Sequence, residues 1–370
     1  MKTIRACLAA AALFVLCLSR APGEGLPQKA YEVVGLADGV YAFVWKDPIE
    51  NLIESNSLFV INDHDVLVVD TGMVPSTARV MAAELRKLTD RPVRYVVTTH
   101  WHDDHHGGNE VYRELWPGVE FVAHRDTRED VLAQTYAPRP KEILDLEAQA
   151  KKYAGWAETG KDDEGKPLEP SRRKRAAEIA ALDLALAPEL RAIRETPPDF
   201  TFTDRLVLHR GSRTIEILWL GRGNTRGDVV VFLPKERIAA TGDLFVQPVP
   251  FGIGSYYEEW VATLGKVDAL AADVLVPGHG LVQRDRTYLR RVQALLVALV
   301  EQVRAAVAAG ATLEETRDRV KLADWKTKFA GDDLAKQRAF DAFFVAPAVE
   351  RAWKQAKGEP DAPVERFGGS

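Results

Sequence analysis

Seven consecutive residues, His100-Trp101-His102-Asp103-Asp104-His105-His106, hold four imidazoles and two carboxylates. Imidazole nitrogen and carboxylate oxygen are preferred protein ligands of zinc, and neighbours in so short a segment can be aimed at one or two adjacent cations. A single histidine is ordinarily a satisfied polar residue; this density is not explained by a core or by a solvated face. The run begins where the apolar stretch Val93–Val97 stops, so its side chains gather in a loop at a sheet edge.

Other segments invite weaker readings. Gly221-Arg222-Gly223-Asn224-Thr225-Arg226-Gly227-Asp228 is glycine-rich, but its spacing is wrong for a G-x-G-x-x-G dinucleotide loop, and its Arg-Gly-Asp tripeptide is a match by letters alone. Arg172-Arg173-Lys174-Arg175, the one basic run, reads as a solvated helix face. Tyr256, Tyr257 and Trp260 either line a substrate mouth or pack at the start of a helix.

The elements that must position these groups follow from periodicity. Tyr31–Trp45 reads as two strands around Asp38-Gly39, and Ser57–Ile61 pairs with Asp65–Val69. A helix is predicted over Ser76–Leu88, with Ser76 or Thr77 available as its cap. Strands follow at Val93–Val97 and Phe121–His124. Residues 126–197 are charged and strand-poor, with helices at Lys141–Tyr153 and Ser171–Ile193 around a Gly/Asp/Lys-rich break, which reads as a helical insertion. Strands resume at Arg205–His209, Thr214–Leu220, Asp228–Leu233, Arg237–Ala240 and Asp273–Val276; beyond Arg284 the chain is helical to about Lys357. Such an order suggests two sheets covered by helices.

His100-x-His102-x-Asp104-His105 resembles the H-x-H-x-D-H signature of the metallo-β-lactamase superfamily, and companion segments follow in that family's order. Asp70-Thr71-Gly72 is similar to its early aspartate behind the ligands, Thr241-Gly242-Asp243 to the segment with the bridging aspartate, and Pro277-Gly278-His279 to the last histidine motif. The similarity runs from about Tyr31 to Gly280 outside the insertion. It implies an α/β protein: an αββα sandwich with metals at one edge between the sheets, here with a helical insertion and a helical C-terminal extension. By the same resemblance His100 and His102 hold a first zinc, Asp104, His105 and His279 a second, and Asp243 bridges them. A metal-bound hydroxide then attacks an acyl carbon, with Asp104 as the catalytic residue that orients it or manages its proton.

One position departs from the family. Gly221–Asp228 fits the G-x-x-H-T-x-G-D element except that Asn224 stands where the third histidine of the first site belongs. An amide oxygen is a neutral and weaker zinc ligand than imidazole. The remaining histidines His64, His106, His124 and His209 lie in no matching motif and are expected outside the ligand set. The expectation is one zinc held firmly and a second held weakly or not at all.

The first residues are of another kind. Lys2 and Arg5 precede an apolar run from Ala6 to Leu18, and Ala21-Pro22-Gly23 supplies small residues for cleavage, the pattern of a secretory signal. Both cysteines, Cys7 and Cys17, fall within it, so a processed chain has neither disulfide nor thiolate. Cleavage after Gly23 leaves 46 basic against 54 acidic residues, net −8, which gives no footprint for nucleic acid. The expected organisation is a signal peptide at 1–23, a catalytic domain at 24–285 carrying the 126–197 insertion, and a helical extension at 286–370. The expected location is periplasmic or secreted, without stable membrane insertion.

Together these readings predict an exported zinc-dependent hydrolase of a small-molecule ester, thioester, lactone or amide. Asp243 places the resemblance nearer the glyoxalase II and general hydrolase branches than the zinc β-lactamases. A β-lactamase, and a metal- or ligand-binding protein with little turnover, are the alternatives. Asn224 argues against an iron-dependent sulfur dioxygenase, and charge and leader argue against RNA processing. The insertion and the Val246–Tyr257 loop are expected to shape the pocket.

Overall fold

The structure is a computed structural model that describes Leu26, residues 30–46 and residues 54–359 of the 370-residue chain. The predicted signal segment lies outside the described residues.

Alternating apolar residues set the strands. One sheet runs in chain order: β1 (Tyr31–Ala37), β2 (Val40–Trp45), β3 (Ser57–Ile61), β4 (Val66–Val69), β5 (Val93–Val97), β6 (Glu120–His124) and β7 (Phe200–Phe202). Its first four strands pair antiparallel and β4 to β7 pair parallel. Parallel neighbours need long crossovers. These are α1 (Pro75–Leu88) after β4, then α2 (Asp103–His106) and α3 (Asn109–Leu115) after β5. After β6 come α4 (Arg125–Asp130), a π-helical turn (Val131–Tyr136), α5 (Arg139–Thr159) and α6 (Pro170–Ala192). The second sheet contains β8 (Arg205–Arg210), β9 (Arg213–Trp219), β10 (Val229–Leu233), β11 (Ile238–Gly242) and β12 (Val274–Pro277), in the order β12-β11-β10-β9-β8. Its β11–β12 pair is parallel, joined through α7 (Tyr257–Ala269).

Side-chain period decides the layers. Val40, Ala42 and Val44 of β2 face Ile217, Val229 and Val231 of the other sheet, and the two inner faces form one apolar core. The intervening Phe43 and Trp45 face outward and pack with Met81 and Leu85 of α1 and Tyr112 of α3. The outer face of the second sheet is covered by α7, by α8 (Thr287–Ala308) and by the last helices, α9 (Leu313–Arg319), α10 (Ala323–Ala330), α11 (Leu334–Phe340) and α12 (Ala346–Ala356). The result is the αββα sandwich with a helical insertion and a helical C-terminal extension. Among the described residues no helix is long and apolar enough to cross a membrane.

Two local expectations need correction. Neither Ser76 nor Thr77 caps α1: Val74 holds the cap position without a side-chain bond and Pro75 opens the helix. Proline already lacks an N–H and is preset to helical φ, so a side-chain cap has less to satisfy; the Ser76 N–H is taken by Glu189 of α6 at 3.2 Å. Strand β7 was not anticipated either, because three residues, Phe-Thr-Phe, are too few to show an alternation.

Candidate metal centre

The histidine-rich segment leaves β5 and turns into α2 at the edge where the two sheets meet. Asp70, at the end of β4, adopts φ 58°, a left-handed conformation uncommon outside glycine. Its buried carboxylate fixes the start of the loop, accepting from Thr99 N and Thr99 Oγ1, each at 2.8 Å, and from His105 Nδ1 at 2.8 Å. That bond turns His105 Nε2 toward the centre. Similar supports hold the others: His100 Nδ1 meets Thr99 Oγ1 at 3.0 Å, and His279 Nδ1 donates to the Glu54 carbonyl at 2.9 Å. A second bond that fixes ring orientation is the usual support of a metal-ligating histidine.

The free ends converge. His279 Nε2 and His105 Nε2 lie 3.0 and 3.3 Å from Asp104 Oδ2. Asp243 turns Oδ1 toward His105 (3.3 Å) and His279 (3.5 Å), and Oδ2 toward His100 Nε2 (3.6 Å). His102 Nδ1 comes within 2.8 Å of His100 Nε2. Two sets of ligand atoms therefore lie mutually within 4.8 Å, Asp104/His105/His279 and His100/His105/Asp243, with the Asp243 carboxylate facing both. Six of the seven predicted ligands are thus in one cluster, with Asp243 placed to bridge.

Asp104 Oδ2, His105 Nε2 and Asp243 Oδ1 are buried and make no hydrogen bond among the described residues. Buried polar atoms are rarely left so, and a donor set of imidazole nitrogens and carboxylate oxygens fits a divalent cation. Burial opposes charge on His105, but Asp104, Asp243 and Asp70 outweigh it and hold its pKa well above the ordinary imidazole value. Burial likewise opposes charge on His279, whose pKa Asp243 and Asp104 push up to about 9. Burial would raise Asp104 and Asp243, yet the facing histidines bring both well below the usual carboxylate range. His100 and His102 are lowered, chiefly by burial, and stay neutral. Without a cation, the second ligand set is held as a network of paired charges.

Asn224 sits in a tight loop. Thr225 donates from N and Oγ1 to the Asp228 carboxylate, each at 2.8 Å, and Thr127 Oγ1 of α4 donates to the Gly227 carbonyl at 2.8 Å. Arg226, the first residue of the tripeptide, is spent on Asp130 at 2.8 and 2.9 Å. The Asn224 side chain is buried. Its Nδ2 donates to Phe251 O at 2.9 Å and Ser255 Oγ at 3.4 Å, while Oδ1 makes no hydrogen bond among the described residues. The ring of Phe251 lies 5.6 Å from that of His102, so this segment adjoins the centre.

The remaining histidines stay out of the cluster. His106 bonds Trp101 O at 2.9 Å, His124 stacks on Trp219, and His64 and His209 are exposed. Tyr257 and Trp260 are packing residues: both are buried, and Trp260 Nε1 donates to Leu244 O. The basic run is a helix surface, with Arg173 closing the end of α5 through Ala157 O and Glu158 O.

Several positioning groups escaped the sequence reading. Asn56 Nδ2 donates to Pro277 O (3.0 Å) and Gly280 O (2.8 Å), stapling the His279 turn to the first sheet. Gly278 is required by close approach, since a Cβ there would stand 1.9 Å from Asp243 Oδ1. The Glu54 carbonyl carries no signal, because a backbone oxygen is the same in every residue, and Thr99 is a common strand-end threonine whose hydroxyl meets Asp70 and His100 only in the fold.

A sequence profile of the metallo-beta-lactamase superfamily matches residues 51–279. The chain belongs to that superfamily. Among curated relatives, the linear primary-alkylsulfatase of Pseudomonas sp. (strain ATCC 19151) is 25% identical over 70% of this chain and 48% of its own length. The chain therefore spans about half of that relative. The metallo-beta-lactamase type 2 of Bacteroides fragilis is 23% identical over 72% of this chain and 89% of its own length. Among solved structures, the metallo-beta-lactamase from Pontibacter korlensis aligns with a TM-score of 0.51 and 19% identity over 72% of this chain and 99% of that one, a likeness of fold. Membership supports metal-dependent hydrolase activity, and the cluster described above is the candidate metal centre of this chain.

Proposed function

We propose that the protein is an exported zinc-dependent hydrolase that attacks the acyl carbon of a small ester, thioester, lactone or amide. The observation that carries this reading is the convergence of Asp104 Oδ2, His105 Nε2 and Asp243 Oδ1, all buried and none hydrogen-bonded, on one point at the sheet edge. Bound zinc would lower the pKa of water and polarise the scissile bond. The chain's own residues supply the rest. Asp70, Thr99 and the Glu54 carbonyl hold the imidazoles in place. Asp104, half-buried, is the carboxylate placed to orient an attacking water or take its proton. The Phe251 ring, 5.6 Å from that of His102, brings the 246–257 loop beside the cluster, in keeping with a role in shaping the pocket. Asn224, with one free amide oxygen, makes the first site the weaker, so one zinc is held firmly and a second weakly or not at all. Export rests on the charged, apolar and small-residue order of residues 1–23.

The alkylsulfatase relative supports a second reading, hydrolysis of a sulfate ester, since it aligns over most of this chain. One experiment separates the readings. The purified protein is given chromogenic acyl substrates, a chromogenic β-lactam and an alkyl sulfate, with chelator and then with added zinc. Acyl turnover abolished by chelator and restored by zinc supports the proposal. Sulfate release alone selects the second reading, and β-lactam cleavage alone a β-lactamase. Bound metal without turnover on any substrate replaces all three with a binding function. N-terminal sequencing of the native protein tests export; an intact Met1 in the cytoplasmic fraction would overturn it.

A further inference from the structure

The helical insertion holds a second chemically distinct place. A cleft of about 470 Å³ opens between the π-helical turn, α5 and the end of α6. That volume falls within the range of small-molecule sites. Its walls are apolar: Tyr136, Ile143, Leu144, Leu190 and Ile193. Leu144 lines it while 64% exposed, extending the apolar wall of Ile143, Leu190 and Ile193 to the surface. Arg139 is also one of its lining residues, and its side chain is only 8% exposed.

The guanidinium is underused. Nε, Nη1 and Nη2 are all buried and none makes a hydrogen bond among the described residues. Its neighbours are the Asp103 carboxylate, 3.7 Å from Nη2 and too far for a hydrogen bond, and the ring of Tyr136 at 5.1 Å. Arginine offers five N–H donors in a planar fork, and leaving a buried charge without hydrogen bonds is costly. The other basic group at the cleft, Arg191, is engaged with Glu147 at 2.6 Å, and Glu195 is at the exposed rim. One buried fork of donors beside an aliphatic trough is complementary to a planar or tetrahedral anion that carries a hydrocarbon tail.

We propose that this cleft is a binding subsite for an amphipathic anion, its carboxylate or sulfate head on Arg139 and its alkyl chain along Ile143, Leu144, Leu190 and Ile193. It is separate from the ligand cluster, although Asp103, which faces Arg139, precedes the cluster's Asp104 in sequence. Occupation therefore has a short physical route to the metal loop. The proposal does not depend on the hydrolase reading, because binding needs no turnover.

Calorimetric titration of the purified protein tests it with four probes: octanoate, octyl sulfate, 1-octanol and inorganic sulfate, all far below micelle formation. The expected result is one molar equivalent of octanoate or octyl sulfate bound, with 1-octanol and inorganic sulfate at least tenfold weaker. Whichever of the two amphiphiles binds tighter identifies the head group. Arg139→Gln should weaken binding at least tenfold while metal content stays the same. Leu144→Asp, which alters an exposed side chain and leaves the core alone, should do likewise and carries the test if Arg139→Gln does not fold. Unchanged binding in Leu144→Asp overturns the proposal, as does 1-octanol binding as tightly as octanoate. Binding lost in His102→Ala but kept in both cleft variants would place the anion at the metal centre and overturn it too.

Discussion

Asn224→His is the sharpest perturbation of the centre. The native side chain is 1% exposed, anchors the Phe251 carbonyl through Nδ2, and leaves one acceptor, Oδ1, without a hydrogen bond. Even outer partners of metal-bound histidines are worth roughly 10–100-fold in metal affinity. Exchange of an amide for an imidazole ligand belongs at the upper end, about 100-fold or ~2.8 kcal/mol. The lost bond to Phe251, about 1 kcal/mol, lowers the stability of the variant with or without metal and so cancels in the binding difference. The expected gain is therefore ~2.8 kcal/mol, about 100-fold tighter binding of the second metal, with a slightly lower melting temperature for the metal-free variant. Elemental analysis after dialysis against a mild chelator reads the stoichiometry, and competition with a chromophoric chelator reads the affinity. The wild type should keep close to one zinc and Asn224→His should approach two. His105→Ala should be the more damaging change to wild-type metal content, because His105 belongs to both ligand sets. Two tightly held zincs in the wild type, unchanged by Asn224→His, would refute the reasoning, since Asn224 would then already complete the site.

Three further expectations follow from the same geometry. Asp70→Asn presents an amide donor to groups that already donate, and should weaken metal binding roughly 10–100-fold in the same competition assay; unchanged affinity would show that His105 orients itself. In the metal-free protein His279, raised to about 9, contributes stability that is full below about pH 6.5 and lost as pH rises through 9, whereas Asp104 and Asp243, both lowered, contribute stability lost as pH falls below about 4. The metal-free melting temperature should therefore decline from pH 6.5 to 9 and metal affinity should climb over the same interval as its competing protons leave; a flat profile for both removes the charge network from the account. Finally, replacing the α5–α6 hairpin by a short linker should change KM or substrate preference while metal content survives, if the insertion acts as a lid; identical kinetics on every substrate would show that it does not.

How much of this was legible in the sequence depends on what kind of signal each feature leaves. Strands such as Ser57–Ile61 and Val93–Val97 were readable to the residue, because the first is buried on both faces and the second breaks its β-branched and aromatic run only at Arg94. The ligand cluster was readable because metal chemistry restricts the residue types and concentrates them. Groups that act through the backbone were not. Asn56 is one asparagine among ordinary polar residues, and its role appears only when the turn after β12 folds back more than two hundred residues later to meet it. The Arg139 cleft was hidden for the same reason: an arginine opening a charged helix looks solvated until α6 closes over it. Tyr257 and Trp260 left two readings open, which burial decided for packing.

The proposed inequality of the two metal sites would have a second source besides Asn224. In the second set, His105 is locked by a carboxylate and His279 by a carbonyl, each through Nδ1, so both rings present Nε2 without rearrangement. In the first, His100 is oriented only by a threonine hydroxyl, and His102 is half-buried against the ring of Phe251. A charged or carbonyl acceptor fixes an imidazole more firmly than a hydroxyl that can rotate. Preorganisation thus favours the second set before any difference in ligand chemistry is counted. The two effects act on different residues of the first site, so restoring an imidazole at position 224 strengthens that site without making it equal to its neighbour.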